Sequence, residues 1–83
     1  MTDTKNSPGT VVKDAITEAV PDAIRAAEQV WPPKKQLAVF LTTLAGVMHR
    51  ETKNSKHKFL NRAGFTIAEK IFNITADAVN ELS

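Results

Sequence analysis

Residues 31–35 read Trp-Pro-Pro-Lys-Lys, and the adjacent prolines divide the chain. Proline has no N–H to donate, and its ring collides with the carbonyl four residues back, so a helix cannot run through this pair. Proline does suit the first turn of a helix, where the N–H would have no partner anyway. Pro32-Pro33 therefore ends one helix, and Pro33 opens the next. Trp31 stands at the joint, where a large ring can cover the corner of a small core.

On the N-terminal side, Val12, Ile16, Ala19 or Val20, Ala23, Ile24, Ala27 and Val30 recur at spacings of three and four, the signature of one helix face. Ser7 before Pro8 suits an N-cap, with Thr10 as an alternative. Pro21 predicts a break or kink at Val20–Pro21. Residues 1–6 are polar, without apolar anchors, and read as a disordered tail. Residues 7–83 read as one helical domain.

On the other side, helix 2 is expected from Pro33 to about Arg50. Its middle, "LAVFLTTLAGVM", is apolar nearly all round, as expected of the central helix of a small bundle. Gly46 then suggests close approach of a neighbouring helix. "ETKNS" is a turn, with the reversal at Asn54-Ser55 and Ser55 as a cap. From about Lys56 to Leu82, Leu60, Ala63, Ile67, Ile71, Ile74, Ala78 and Leu82 form a helical stripe that Phe59, Phe72 and Val79 widen. One helix of that length spans roughly 40 Å. Gly64 is its weak point, and a restart at Thr66 is the alternative.

The fold expected is all-α, a small antiparallel three- to four-helix bundle with a broken helix 1, a central apolar helix 2 and a long helix 3. The core positions expected are Ile16, Ile24, Val30, Leu37, Phe40, Leu41, Leu44, Val47, Met48, Leu60, Ile67, Ile71 and Ile74.

Several functions are poorly served by this composition. The chain has no cysteine and no tyrosine, and it lacks a Gly-rich phosphate loop or a hydroxyl with an evident base partner. No enzyme and no cofactor are expected. His49 and His57 lack the tight spacing of zinc ligands, so no metal is expected either and both read as exposed. Glu18, Glu28 and Glu69 lie on polar helix faces. The first ten residues hold no apolar leader segment, and residues 37–48 are too few to span a bilayer, which takes about 20. A cytoplasmic protein with no membrane partner is expected.

Charge is unevenly placed. Residues 1–33 carry three bases and five acids, residues 34–62 seven bases and one acid, and residues 63–83 one base and three acids. The basic middle holds Lys34, Lys35, Arg50, Lys53, Lys56, Lys58 and Arg62, which are the candidate partner-binding residues for protein or nucleic acid. Five of them fall within His49–Arg62, which can form an electrostatic patch or a solvated turn. Phe59, the aromatic residue nearby, belongs to the apolar stripe rather than to a base-stacking platform.

"FTIAEKIFNITADAVNELS", residues 65–83, resembles a helix-turn-helix, with Asn73 as the left-handed turn residue and Thr75 capping a second helix. It departs from that pattern at Glu69, where a small residue is usual. Its would-be recognition helix offers Asp77, Asn80 and Glu81, which a phosphate-lined groove repels. The expectation is a small non-catalytic protein-interaction module, a regulator, inhibitor or assembly subunit. It binds a larger protein or itself through apolar helix surface and the basic corner. The alternative is a nucleic-acid-binding accessory protein using the basic turn.

Overall fold

The computed structural model describes residues 8–82 and holds three helices: α1 (Pro8–Ala27), α2 (Pro33–Thr52) and α3 (Phe59–Leu82). Residues 1–7, with the proposed tail and the Ser7 cap, lie outside the described residues. The molecule measures 44 × 22 × 20 Å. No helix among the described residues is long and apolar enough to cross a membrane.

Helix α1 is unbroken, which corrects the expected division at Val20–Pro21. Pro21 deprives the Thr17 carbonyl of its donor, but both residues are exposed, so water can take that bond. Ala19 and Ala23, on either side of Pro21, are buried against Leu44. Packing on the inner face offsets the defect on the outer one.

The α1–α2 link is short. Val30 N–H donates to the Ala27 carbonyl at 3.1 Å, closing the end of α1. Pro33 is the first residue of α2, as its geometry favours. Trp31 covers no core corner: it is 79% exposed.

Between α2 and α3 the chain reverses at Asn54. Its Oδ1 accepts from Lys56 N–H at 2.9 Å and its carbonyl from His57 N–H at 3.2 Å. This Asx-type turn delays the start of α3 to Phe59, three residues beyond the sequence expectation. Cross-helix bonds fix the pairing as antiparallel. Lys34 meets Leu82, His49 meets Glu69, and Thr52 meets Thr66.

Helix α2 packs on both neighbours, most extensively on α3, and α1 and α3 touch least. Two adjoining clusters make the core. In one, Ala19, Ala23 and Leu44 are flanked by Phe40 and Val20. In the other, Met48, Phe65 and Ala68 are flanked by Val12 and Ile16. Val47 and Phe72 join the two. Of the ten buried apolar residues among those described seven are alanine, so the helices meet largely through small side chains, and among the described residues only Phe65 and Met48 are large and fully enclosed.

The core expectations are corrected accordingly. Leu44 and Met48 are buried, and Ile16, Val30, Phe40, Leu41 and Val47 are half-buried. Ile24, Leu37, Leu60, Ile67, Ile71 and Ile74 are exposed. On α3 the inner face is Asn61, Phe65, Ala68, Phe72 and Ala76, stepping by four, three, four and four. Both faces of α3 carry an apolar stripe, and the one with the larger side chains turns outwards. The glycine expectation is also reversed. A Cβ at Gly46 would meet nothing within 4 Å, whereas one at Gly64 would meet Val12.

Candidate interaction surface

Helix α3 is the longest element and presents Leu60, Ile67, Ile71, Ile74 and Leu82 to solvent. Their spacings of seven, four, three and eight keep them on one side of a helix with 3.6 residues per turn. Exposure is substantial at each, from 55% at Ile71 to 75% at Leu82. Ala78 lies in the same row and is exposed. One edge of the row carries Lys70, Asp77 and Glu81, all exposed. A contiguous apolar row rimmed by charge is the usual anatomy of a protein-binding surface.

The seven basic candidates do not form one site. Arg50, Lys53, Lys56 and Lys58 are exposed around the α2–α3 turn. Lys53 caps α2, its N–H donating to the Arg50 carbonyl while Asn54 N–H donates to that of Glu51, and its cation sits where the helix dipole favours it. Arg62 is half-buried beside Thr52, Phe59 and Thr66, and its Nε is enclosed without a hydrogen-bond partner. Lys34 and Lys35 stand at the start of α2, sixteen positions before Arg50, which is roughly 24 Å along a helix.

Lys34 has a role of its own. Its Nζ donates to the Leu82 carbonyl at 3.1 Å, at the C-terminal end of α3. A lysine at the start of its own helix opposes that helix's dipole, but beside the end of the antiparallel neighbour it meets free carbonyls and partial negative charge. Periodicity within one helix carries no signal for such a cross-helix contact.

Of the two histidines expected to be exposed, His49 is exposed and His57 half-buried, and both have carboxylate partners. His57 Nε2 lies 2.5 Å from Glu51 Oε1, and its ring rests on Phe65 with centroids 4.8 Å apart. This pair pins the turn to the core. His49 Nδ1 lies 3.1 Å from Glu69 Oε2, so Glu69 links α3 to α2 rather than standing free in solvent. Among the described residues no group of three or more His, Asp or Glu could hold a metal ion.

The turn residues also border an open groove of about 370 Å³ between α1 and α2. Asp14, Glu18 and Asp22 line it from α1, opposite Arg50, Glu51 and His57. Arg50, of the basic corner, therefore faces acids of its own chain, which lowers the local positive field.

The helix-turn-helix resemblance is not realised. Helix α3 runs without interruption through Asn73 and Thr75, and no non-glycine residue among those described has positive φ. Thr75 caps nothing: its hydroxyl donates to the Ile71 carbonyl at 2.8 Å, one turn back in the same helix. No family model, no curated protein and no solved structure matches this chain.

Proposed function

We propose that this chain is a small non-catalytic protein-interaction module of the cytoplasm, a regulator or assembly subunit that binds through the outer face of α3. The observation that carries the reading is the exposed row Leu60, Ile67, Ile71, Ile74 and Leu82. Isolated apolar residues on a surface are ordinary, but a continuous row along a long helix is costly to hydrate and marks a docking face.

The nucleic-acid reading has less support. The basic corner is compact but has Glu51 within it and the α1 acids across the groove. Lys34 is engaged by Leu82 at the far end of α2. The acids Asp77 and Glu81 edge the most exposed helix face.

The test is capture of partners from lysate, with and without nuclease, by the wild type and by an Ile71→Lys/Ile74→Lys variant checked for unchanged helicity. Nuclease-resistant capture that the variant loses supports the reading. Capture indifferent to the two substitutions, or abolished by nuclease, overturns it.

A further inference from the structure

We propose that the occupant of the α3 face is a second copy of this chain. The two α3 helices pack antiparallel, with the two-fold axis crossing between Ile71 and Ile74. The inference rests on the interaction reading above and narrows it to one partner.

From Ala63 to Leu82 the row is self-complementary about that axis, and Leu60 lies beyond the overlap. In a two-fold interface, contacts occur in reciprocal pairs. With the axis between Ile71 and Ile74, each of these two faces the other in the second copy. Ile67 then lies beside Ala78 of the second copy, and Ala63 beside its Leu82. Large side chains meet small ones at the outer layers, and two isoleucine pairs fill the centre.

Charge selects the antiparallel orientation. Lys70, Asp77 and Glu81 share one edge of the row. When two helices pack antiparallel, an edge faces the same edge of the partner, so Lys70 of each copy comes within reach of Asp77 of the other. Neither Lys70 nor Asp77 has an ion-pair partner among the described residues. The arrangement also sets the acidic C-terminal part of α3 towards the basic turn of the second copy. A parallel pairing would gather Arg50, Lys53, Lys56 and Lys58 of both copies at one end and align the helix dipoles.

The poor interior of the monomer points the same way. Among the described residues two large side chains are fully buried, while nine large apolar side chains are exposed, five of them in the row and Phe59 beside its start. Chains of this size commonly lack enough core of their own and gain it by association. The overlap from Ala63 to Leu82 is roughly 30 Å long and 10 Å wide, a footprint on the order of 300 Å² per copy. That is small beside the roughly 800 Å² per partner of standard interfaces, so the dimer belongs to the weak, concentration-dependent class.

Sedimentation velocity of the full chain, from low micromolar to near-millimolar, is the test. The wild type is expected to pass from monomer to dimer, and Ile71→Lys to remain monomeric. Lys70→Asp and Asp77→Lys are each expected to weaken the dimer by about tenfold, since each creates two like-charge contacts. Mixed in equal amounts, the two charge variants are expected to pair with each other in preference to themselves. This arm holds even if Ile71→Lys unfolds the chain. A wild type monomeric throughout, a dimer unaffected by Ile71→Lys, or a mixture with no preference for the heterodimer overturns the inference. A monomeric wild type whose capture from lysate still depends on Ile71 and Ile74 overturns the second copy alone and leaves the row to a helix of a different protein.

Discussion

Gly64 lies so close to α1 that a Cβ placed on it would come within 2.8 Å of Val12 Cγ2. The two helices share few contacts, and Gly64 against Val12 is a close one. Alanine favours a helix over glycine by about 1 kcal/mol. Valine, however, is stiff at χ1 and cannot swing its methyl away without cost, and overpacking typically costs about 1–3 kcal/mol. Gly64→Ala is expected to lower stability by about 1 kcal/mol net in urea unfolding. Val12→Ala in the same chain should recover most of that loss. An unchanged midpoint for Gly64→Ala would show that α1 moves freely on α3.

Gly46 gives the opposite expectation. It is exposed within α2 and a Cβ there meets nothing within 4 Å. Gly46→Ala should stabilise the protein by about 0.5–1 kcal/mol through backbone entropy alone. The same urea experiment reads it. A loss of stability would mean that an assembled neighbour occupies this surface.

Truncations on the two faces of α3 should separate cleanly in the dilute monomer. Phe65 is fully enclosed, and Phe65→Ala is expected to cost about 3–5 kcal/mol. For a chain of this size such a loss approaches the whole stability. Ile74 is 68% exposed, and Ile74→Ala should change the stability of the monomer by less than about 0.5 kcal/mol. Thermal unfolding at low concentration distinguishes them. Equal losses would place Ile74 in the core of the isolated chain.

His57 connects the turn to the bundle through Glu51 and the Phe65 ring. His57→Ala removes an aromatic contact and a partly buried hydrogen bond, together about 1–2 kcal/mol. Glu51→Gln keeps an acceptor oxygen and should cost less. Amide hydrogen exchange should quicken at residues 53–58 in His57→Ala while the α1–α2 core stays protected. Exchange that rises equally everywhere would assign His57 to global stability rather than to the turn.

The basic corner is expected to be a solvated cap. Lys53→Glu/Lys56→Glu should weaken self-association far less than Ile71→Lys does and cost about 0.5 kcal/mol, from the reversed charge at the end of α2. Gel-shift measurements at low salt should show no complex of the wild type with duplex or single strands. A salt-sensitive shift that the double variant abolishes would make the corner a nucleic-acid site.

Local chemistry was legible in the residues. The start of α2 at Pro33 and the reversal at Asn54 followed from turn and capping preferences, which depend on neighbours in sequence. The three helical segments followed from apolar period. Pro21 was overrated as a breaker because its local cost is outweighed by the buried alanines beside it, and their burial depends on α2.

What sequence alone determined, then, was that the chain is helical and where it turns. Tertiary structure decided which surface went inside. Helix α3 has two apolar faces, and local preference does not rank them. Alanines on α1 and α2 let the helices approach closely, and α3 meets them with Phe65, Ala68, Phe72 and Ala76. The branched row of Ile67, Ile71 and Ile74 is left facing outwards. Close packing of Phe65 and Phe72 among alanines on one face thus left the branched aliphatic residues of the other exposed to solvent.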